Sequence, residues 1–298
     1  MKILVTGSSG LVGSALVPFL RNNGFVVTKL IRTHNKLSDD EITWDPESGM
    51  INPAQLEGFD AVVNLAGESI ASKRWSEARK KKILESRKEG TKTLCMSLAS
   101  LSKPPKVLIN ASAMGFYGNK GDTVLTENSP KGKGFLAHVC EEWETATLPA
   151  QQKDIRVVCL RIGIVLTPRG GALGQMLIPF KLGLGGVLGS GNQYMSWITL
   201  DELLQVILHT LLNNTLRGSV NVSTPFPVTN REFTKILGSV LHRPTVLAVP
   251  AFLLRLILGE MADELLLSST RMMPDRLLES GYHFQSPRLE GALSHLLS

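Results

Sequence analysis

Three glycines stand three residues apart in Thr6-Gly7-Ser8-Ser9-Gly10-Leu11-Val12-Gly13, directly after a short apolar run and ahead of a helical pattern. That spacing suits phosphate binding: exposed backbone N–H groups and the positive end of a helix attract the charge. Gly7 makes the tight turn, Gly10 lets the backbone approach a diphosphate, and Gly13 lets the helix pack against the sheet. Ser9, Leu11 and Val12 belong to the same cradle. A second apolar run, Phe25–Ile31, is followed by Arg32, and no Asp or Glu occurs before Asp39. A carboxylate at this point would hold a ribose diol and select NAD. A planar guanidinium instead suits a 2′-phosphate, through paired donors and stacking on adenine. The residues therefore predict NADP(H), with Ile31 and Arg32 on its adenosine side.

The elements that must position this loop follow from periodicity. Lys2–Val5, Phe25–Ile31, Asp60–Leu65, Lys106–Ala111 and Ile155–Leu166 read as buried strands. The segments at Leu11–Leu20, Trp75–Leu101 and Phe135–Gln151 read as helices, the first weakened or kinked at Pro18. The stretch from Thr33 to Gly58 is polar and turn-rich. Alternation of this kind predicts an α/β fold, a Rossmann-type doubly wound parallel sheet with helices on both faces. After Thr167 the character changes to a glycine-crowded segment and short helices, with isolated strands near Ser219–Ser223 and Thr245–Val249. The expected division is a nucleotide-binding domain over 1–166 and a small, mainly helical substrate lobe over 167–298.

Composition sets the outer bounds. The chain has 298 residues, 43% hydrophobic and 19% charged, enough for a real core. No apolar run reaches the roughly 18 residues of a membrane span, so no membrane partner is expected. No secretory signal opens the chain, which points to a cytoplasmic protein. The net charge of +6 favours anionic partners only loosely. Its basic clusters lack interleaved aromatics, so nucleic acid is not expected. Cys95, Cys140 and Cys159 have no CxxC spacing and read as buried thiols, and no metal is expected.

The Gly7-x-x-Gly10-x-x-Gly13 spacing resembles that of the short-chain dehydrogenases/reductases. Asn64-Leu65-Ala66-Gly67 resembles that family's NxAG motif. Leu160–Leu166, Ser196-Trp197-Ile198 with Asp201, and Gly218-Ser219-Val220-Asn221-Val222 resemble elements of its extended subgroup. Segments containing Arg32, Trp75 and Arg87, together with Gly183-Leu184-Gly185-Gly186 and Leu258-Gly259-Glu260-Met261, are similar to the atypical NADP-binding "epimerase family" branch, whose members are described as sugar-nucleotide-epimerase-like. The stretch at about 250–297 resembles that branch's small domain. The resemblance implies further cofactor contacts at Leu65, Ala66, Gly67, Glu68, Arg87 and Ile164. It also implies a small-molecule substrate, either a nucleotide sugar or another hydroxylated or carbonyl compound.

The resemblance fails where proton transfer is expected. The family's Tyr and Lys lie four apart on one helix. Here the matching helix, placed by Trp143-Glu144, offers Phe135 or Leu136 and Val139 or Cys140. Asn110–Gly118 resembles the "SS-x-x-VYG" segment. It makes Ser112 and Tyr117 the catalytic candidates, with His138 on the altered helix as a weaker one. Asn192 and Gln193 are candidate hydroxyl binders, and Tyr194 and Trp197 candidate ring-stacking groups. Arg161 needs an anionic or carbonyl partner, a structural salt bridge by preference. Three readings stay open: an NADP-dependent oxidoreductase or epimerase with a substituted acid/base, a sensor that binds NADP(H) without turnover, and a lobe that serves a protein partner. Oligomeric state is not readable from the sequence.

Overall fold

The structure is a computed structural model and describes residues 1–32 and 38–298. Part of the turn-rich stretch, 33–37, lies outside the described residues. Seven strands form one parallel sheet among them: β1 (Lys2–Thr6), β2 (Val26–Ile31), β3 (Glu41–Thr43), β4 (Ala61–Asn64), β5 (Val107–Ala113), β6 (Arg156–Ile162) and β7 (Gly218–Val222). Their order across the sheet is β7-β6-β5-β4-β1-β2-β3. The winding reverses on either side of β1, which pairs in parallel with both β2 and β4. The C-terminal ends of β1 and β4 therefore open a crevice at the switch point, the place where such sheets bind ligands.

The sheet is buried on both faces, which is why its strands read as continuous apolar runs. On one side α1 (Leu11–Asn22) and α5 (Leu200–Leu212) bury Leu16, Leu20, Leu203 and Ile207 against Ile3, Val5 and Ile109. On the other, α2 (Glu77–Ala99) buries Leu94 and Leu98 with Trp44 against Leu4, Val62 and Leu108. Each such side chain contributes about 1.5–3 kcal/mol on burial. The helix α1 is continuous from Leu11 to Asn22 and includes Pro18.

The expected division of the chain needs correction. The strand near Ser219 is not isolated: β7 pairs with β6 over five residues and closes the sheet edge. With α5 also packed on the sheet, the nucleotide-binding layer takes back a segment assigned to the lobe. The expected strand Ile155–Leu166 is two strands. β6 ends at Ile162, and Ile164–Leu166 turns aside to pair with Trp197–Thr199. Gly163 makes the turn possible, since a Cβ there would lie 2.7 Å from the Ser196 carbonyl oxygen. The expected helix Phe135–Gln151 is α3 (Phe135–Thr145) and a separate turn, Leu148–Gln151, with Pro149 near its start.

The lobe core is built from α4 (Gly171–Lys181), α6 (Asn230–Leu241) and α8 (Leu289–Leu297) around Trp197, Phe233, Leu237 and Leu293, and α7 (Ala251–Leu258) lies outside that cluster. No helix among the described residues is long and apolar enough to cross a membrane.

Candidate functional site

The glycine loop lies at the crevice. Gly7 has φ +65°, and a Cβ on it would come within 2.6 Å of Leu65 backbone atoms. At Gly13 a Cβ would meet the Gly7 carbonyl oxygen at 2.2 Å. Both glycines are thus demanded by close backbone approach. The first turn of α1 has no side-chain cap and no acidic residue, and Ser9 and Gly10 at its mouth are exposed. Ser or Thr caps are carried by α2, α5 and α6, while α1 shares the lack of one with α3, α4, α7 and α8. The leading amides of α1, at Leu11 and Val12, are left for an anion. Arg32 follows the end of β2 and is exposed, and the described chain before Asp39 offers no acid there.

The opposite wall is the loop after β4. The Thr6 hydroxyl donates to Asn64 Oδ1 at 2.6 Å and accepts from the amides of Leu65 and Ala66 at 3.1 Å. Asn64 donates in turn to Thr91 and Asn110, and Trp143 Nε1 donates to the same Thr91 hydroxyl. This buried polar chain fixes the distance between the two walls, and sequence reasoning singled out neither Thr6, Thr91 nor Asn110 for that task. Arg87 lies across Gly67, where a Cβ would sit 3.0 Å from its Cζ, and over the Trp143 ring at 4.9 Å. It donates to the Glu68 and Ile83 carbonyl oxygens. Burial pulls its pKa down to about 10, and among the described residues no carboxylate pairs with it. A cation so placed favours an anionic ligand at the crevice.

The catalytic candidates are elsewhere. Tyr117 has no exposed surface. Its hydroxyl lies 2.7 Å from Asn221 Oδ1 and 3.0 Å from the Thr126 carbonyl oxygen as donor, and accepts from Arg161 Nη1 at 3.0 Å. Burial raises its pKa, with the Arg161 charge opposing. Tyr117, expected as an acid/base candidate, is fully buried here, and its hydroxyl is engaged by protein partners alone among the described residues. Ser112, 3% exposed, donates to Glu144 Oε1 at 2.7 Å. Glu144 also receives Arg161 Nε and Nη2, both at 2.8 Å, and the Ser219 hydroxyl. Burial works against the charge on Arg161, and Glu144 more than offsets it, so the guanidinium stays protonated. The expected salt bridge of Arg161 is therefore present.

The helix α3 presents Leu136 and Cys140, not Phe135 and Val139, to the end of β5. Leu136 packs against Gly115, and Cys140 Sγ lies 3.6 Å from the Ala113 carbonyl oxygen. Burial pushes the Cys140 thiol up to about 12. His138 is exposed beside Glu141 and Glu142, whose carboxylates pair with Lys131 and Lys88. These three residues bring ligand atoms near one another on the surface, a grouping met commonly without an ion. Phe135 meets Trp75 edge-to-face at 5.0 Å, and Glu264 of the lobe accepts from the amides of Phe135 and Leu136. Ile164 is half-buried at the start of its strand. Two substrate expectations need correction. Gln193 spends its amide on the Leu188 and Leu266 carbonyls, and Trp197 is fully buried in the lobe core. Tyr194 stays half-buried under Arg271, and Asn192 is exposed.

A doubly wound sheet with a glycine cradle at its switch point defines a dinucleotide-binding fold. Residues 3–223 match the NAD dependent epimerase/dehydratase family, and the chain belongs to it. Residues 249–296 match a domain of unknown function, DUF1731. The chain is 34% identical to epimerase family protein SDR39U1 of Homo sapiens over 302 residues, covering all of both chains. It is 44% identical over 293 residues to an epimerase family protein of Mycobacterium tuberculosis, covering 98% of this chain and 96% of that one. The crystal structure of human SDR39U1 (isoform 2) with NADPH superimposes with a TM-score of 0.90 at 35% identity, over 99% of each chain. A nucleoside-diphosphate sugar epimerase from Corynebacterium glutamicum gives 0.83 at 33% identity, over all of this chain and 58% of that one.

Proposed function

We propose that this chain binds NADP(H) across the switch-point crevice and serves hydride transfer to or from a hydroxylated or carbonyl small molecule. The observation that carries the reading is the glycine loop at the switch point, where Gly7 and Gly13 are closed to any side chain ahead of an uncapped α1. Its amides hold the diphosphate, Arg32 takes the 2′-phosphate, and Leu65, Ala66, Gly67, Glu68 and Arg87 line the opposite wall. The likeness to a solved relative described with NADPH supports the same choice. When bound, the nicotinamide supplies the hydride donor or acceptor. The chain's own residues orient it and exclude water, with the apolar side chains of Leu136 and Cys140 in the family's proton-relay positions. The substrate is a nucleotide sugar or another carbonyl compound.

A second reading is favoured by one observation. With Tyr117 and Ser112 committed to buried partners, neither presents a free acid/base, which suits a protein that senses NADP(H) without turning it over. One experiment separates the two: titrate NADPH, then follow coenzyme absorbance for NADPH with aldehydes and ketones and for NADP+ with alcohols, and analyse nucleotide sugars for epimer formation. Binding with turnover in any arm supports the enzyme, and binding without turnover in every arm supports the sensor. Absence of NADPH binding overturns both.

A further inference from the structure

Half of the large hydrophobic side chains exposed among the described residues, nine of eighteen, fall in two short segments of the lobe, 178–184 and 246–257. The two segments form one surface. Gly186–Leu188 pairs in parallel with Leu247–Val249, Gly183 lies against Pro244, and Gly189 faces Ala251. The helix α7 stands proud of this surface and buries only Leu254. Phe252, Leu253, Leu256 and Ile257 fill a continuous arc of its outer side, with Phe252 69% and Leu256 71% exposed. Leu182 and Val246, 69% and 86% exposed, extend the patch. Isolated exposed apolar residues are ordinary, but a contiguous group of this kind marks a contact surface.

Charge decides what covers it. Residues 171–200 and 233–259 contain no Asp or Glu, while Lys181, Lys235, Arg243 and Arg255 are spread along them. Lys181 and Arg243 are exposed at the rim and joined by a hydrogen bond from Arg243 Nε to the Lys181 carbonyl oxygen. Arg255 flanks the arc on α7 itself and pairs with Asp263. A two-fold contact with a second copy would set this cationic rim against its own image. A convex apolar helix edged by cations instead matches an anionic bilayer interface, with hydrocarbon around the arc and acidic headgroups around the rim. We propose that this face docks on membranes bearing acidic phospholipids, with α7 lying in the interfacial plane. This is a peripheral contact, distinct from a spanning helix, and it goes beyond the sequence expectation of no membrane partner.

The test is co-sedimentation of the full chain with large vesicles, one set of phosphatidylcholine alone and one of equal parts phosphatidylcholine and phosphatidylglycerol. The expected result is binding to the acidic vesicles, reduced severalfold on neutral ones and by added salt. The Phe252→Ser/Leu256→Ser variant removes surface side chains only, so its melting temperature and NADPH titration should match the parent. Its partition should fall about tenfold or more. Lys181→Glu/Arg243→Glu should lower partition about fivefold for each charge removed. Three results would overturn the proposal. One is protein left in the supernatant with both vesicle types, and another is partition indifferent to the apolar variant. The third is a vesicle-free dimer that the apolar variant dissociates, which would assign the face to a second copy.

Discussion

Replacing Tyr117 by phenylalanine separates an anchor from a proton carrier. The hydroxyl makes two bonds at a time: it donates to Asn221 Oδ1 or the Thr126 carbonyl, and it accepts from Arg161 Nη1. Without it, Asn221 Oδ1 loses its donor, and Arg161 Nη1 keeps only the Glu127 carbonyl at 3.4 Å. A neutral buried hydrogen bond is worth about 0.5–1.5 kcal/mol and one to a charged group about 1.5–3, so the loss should be about 2–4 kcal/mol. In a chain of 298 residues that lowers the melting temperature by roughly 3–6 °C. Urea denaturation gives the free energy and an NADPH titration gives the affinity, which should stay within about twofold. A stability loss below about 0.5 kcal/mol, or a large fall in NADPH affinity at unchanged stability, would show that the hydroxyl faces the ligand after all.

Further outcomes follow from the same network and core. Glu144→Gln leaves the buried Arg161 charge without its counterion and should cost about 3–5 kcal/mol in urea unfolding, and a loss below about 1 kcal/mol would mean that the ion pair does not brace β5, β6 and β7. Burial holds the Cys95 and Cys140 thiols up to about 12 and raises Cys159 as well. All three should resist alkylation in the folded protein and react only after unfolding; rapid native labelling would contradict their burial. Burial also lowers the pKa of His209, whose Nε2 lies 2.8 Å from the Ser280 hydroxyl. The unfolded chain then binds the proton more readily, so this contribution is present above the ordinary pKa of about 6.5 and is lost as the pH falls below it. Thermal melts between about pH 8 and pH 5 should fall less for His209→Gln than for the parent, and parallel curves would refute the assignment.

Features dictated by local backbone chemistry are legible in the sequence itself. The glycine loop announces itself because Gly7 and Gly13 are required by contacts within the loop and with one neighbouring turn. The missing acid after β2 is equally local. The burial of Tyr117 is not readable locally, because its partners, Arg161 and Asn221, stand 44 and 104 residues away, and only the parallel pairing of β5, β6 and β7 brings them together. The same non-local pairing hid the return of β7 to the sheet. Gln193 and Trp197 had the right chemistry for a sugar, but the lobe core and two carbonyls claim them first. The strand Glu41–Thr43 is three residues long at the sheet edge, too short for periodicity to reveal.

The central claim is a diphosphate cradle on α1 with a guanidinium for the 2′-phosphate. Calorimetric titration of the protein with NADPH and with NADH, repeated on Arg32→Ser, tests it directly. The account predicts saturable NADPH binding, weaker NADH binding, and a selectivity that shrinks at least about tenfold in the variant as the charge-assisted contact is lost. Equal affinity for both coenzymes in the parent, or an unchanged preference in Arg32→Ser, would contradict it.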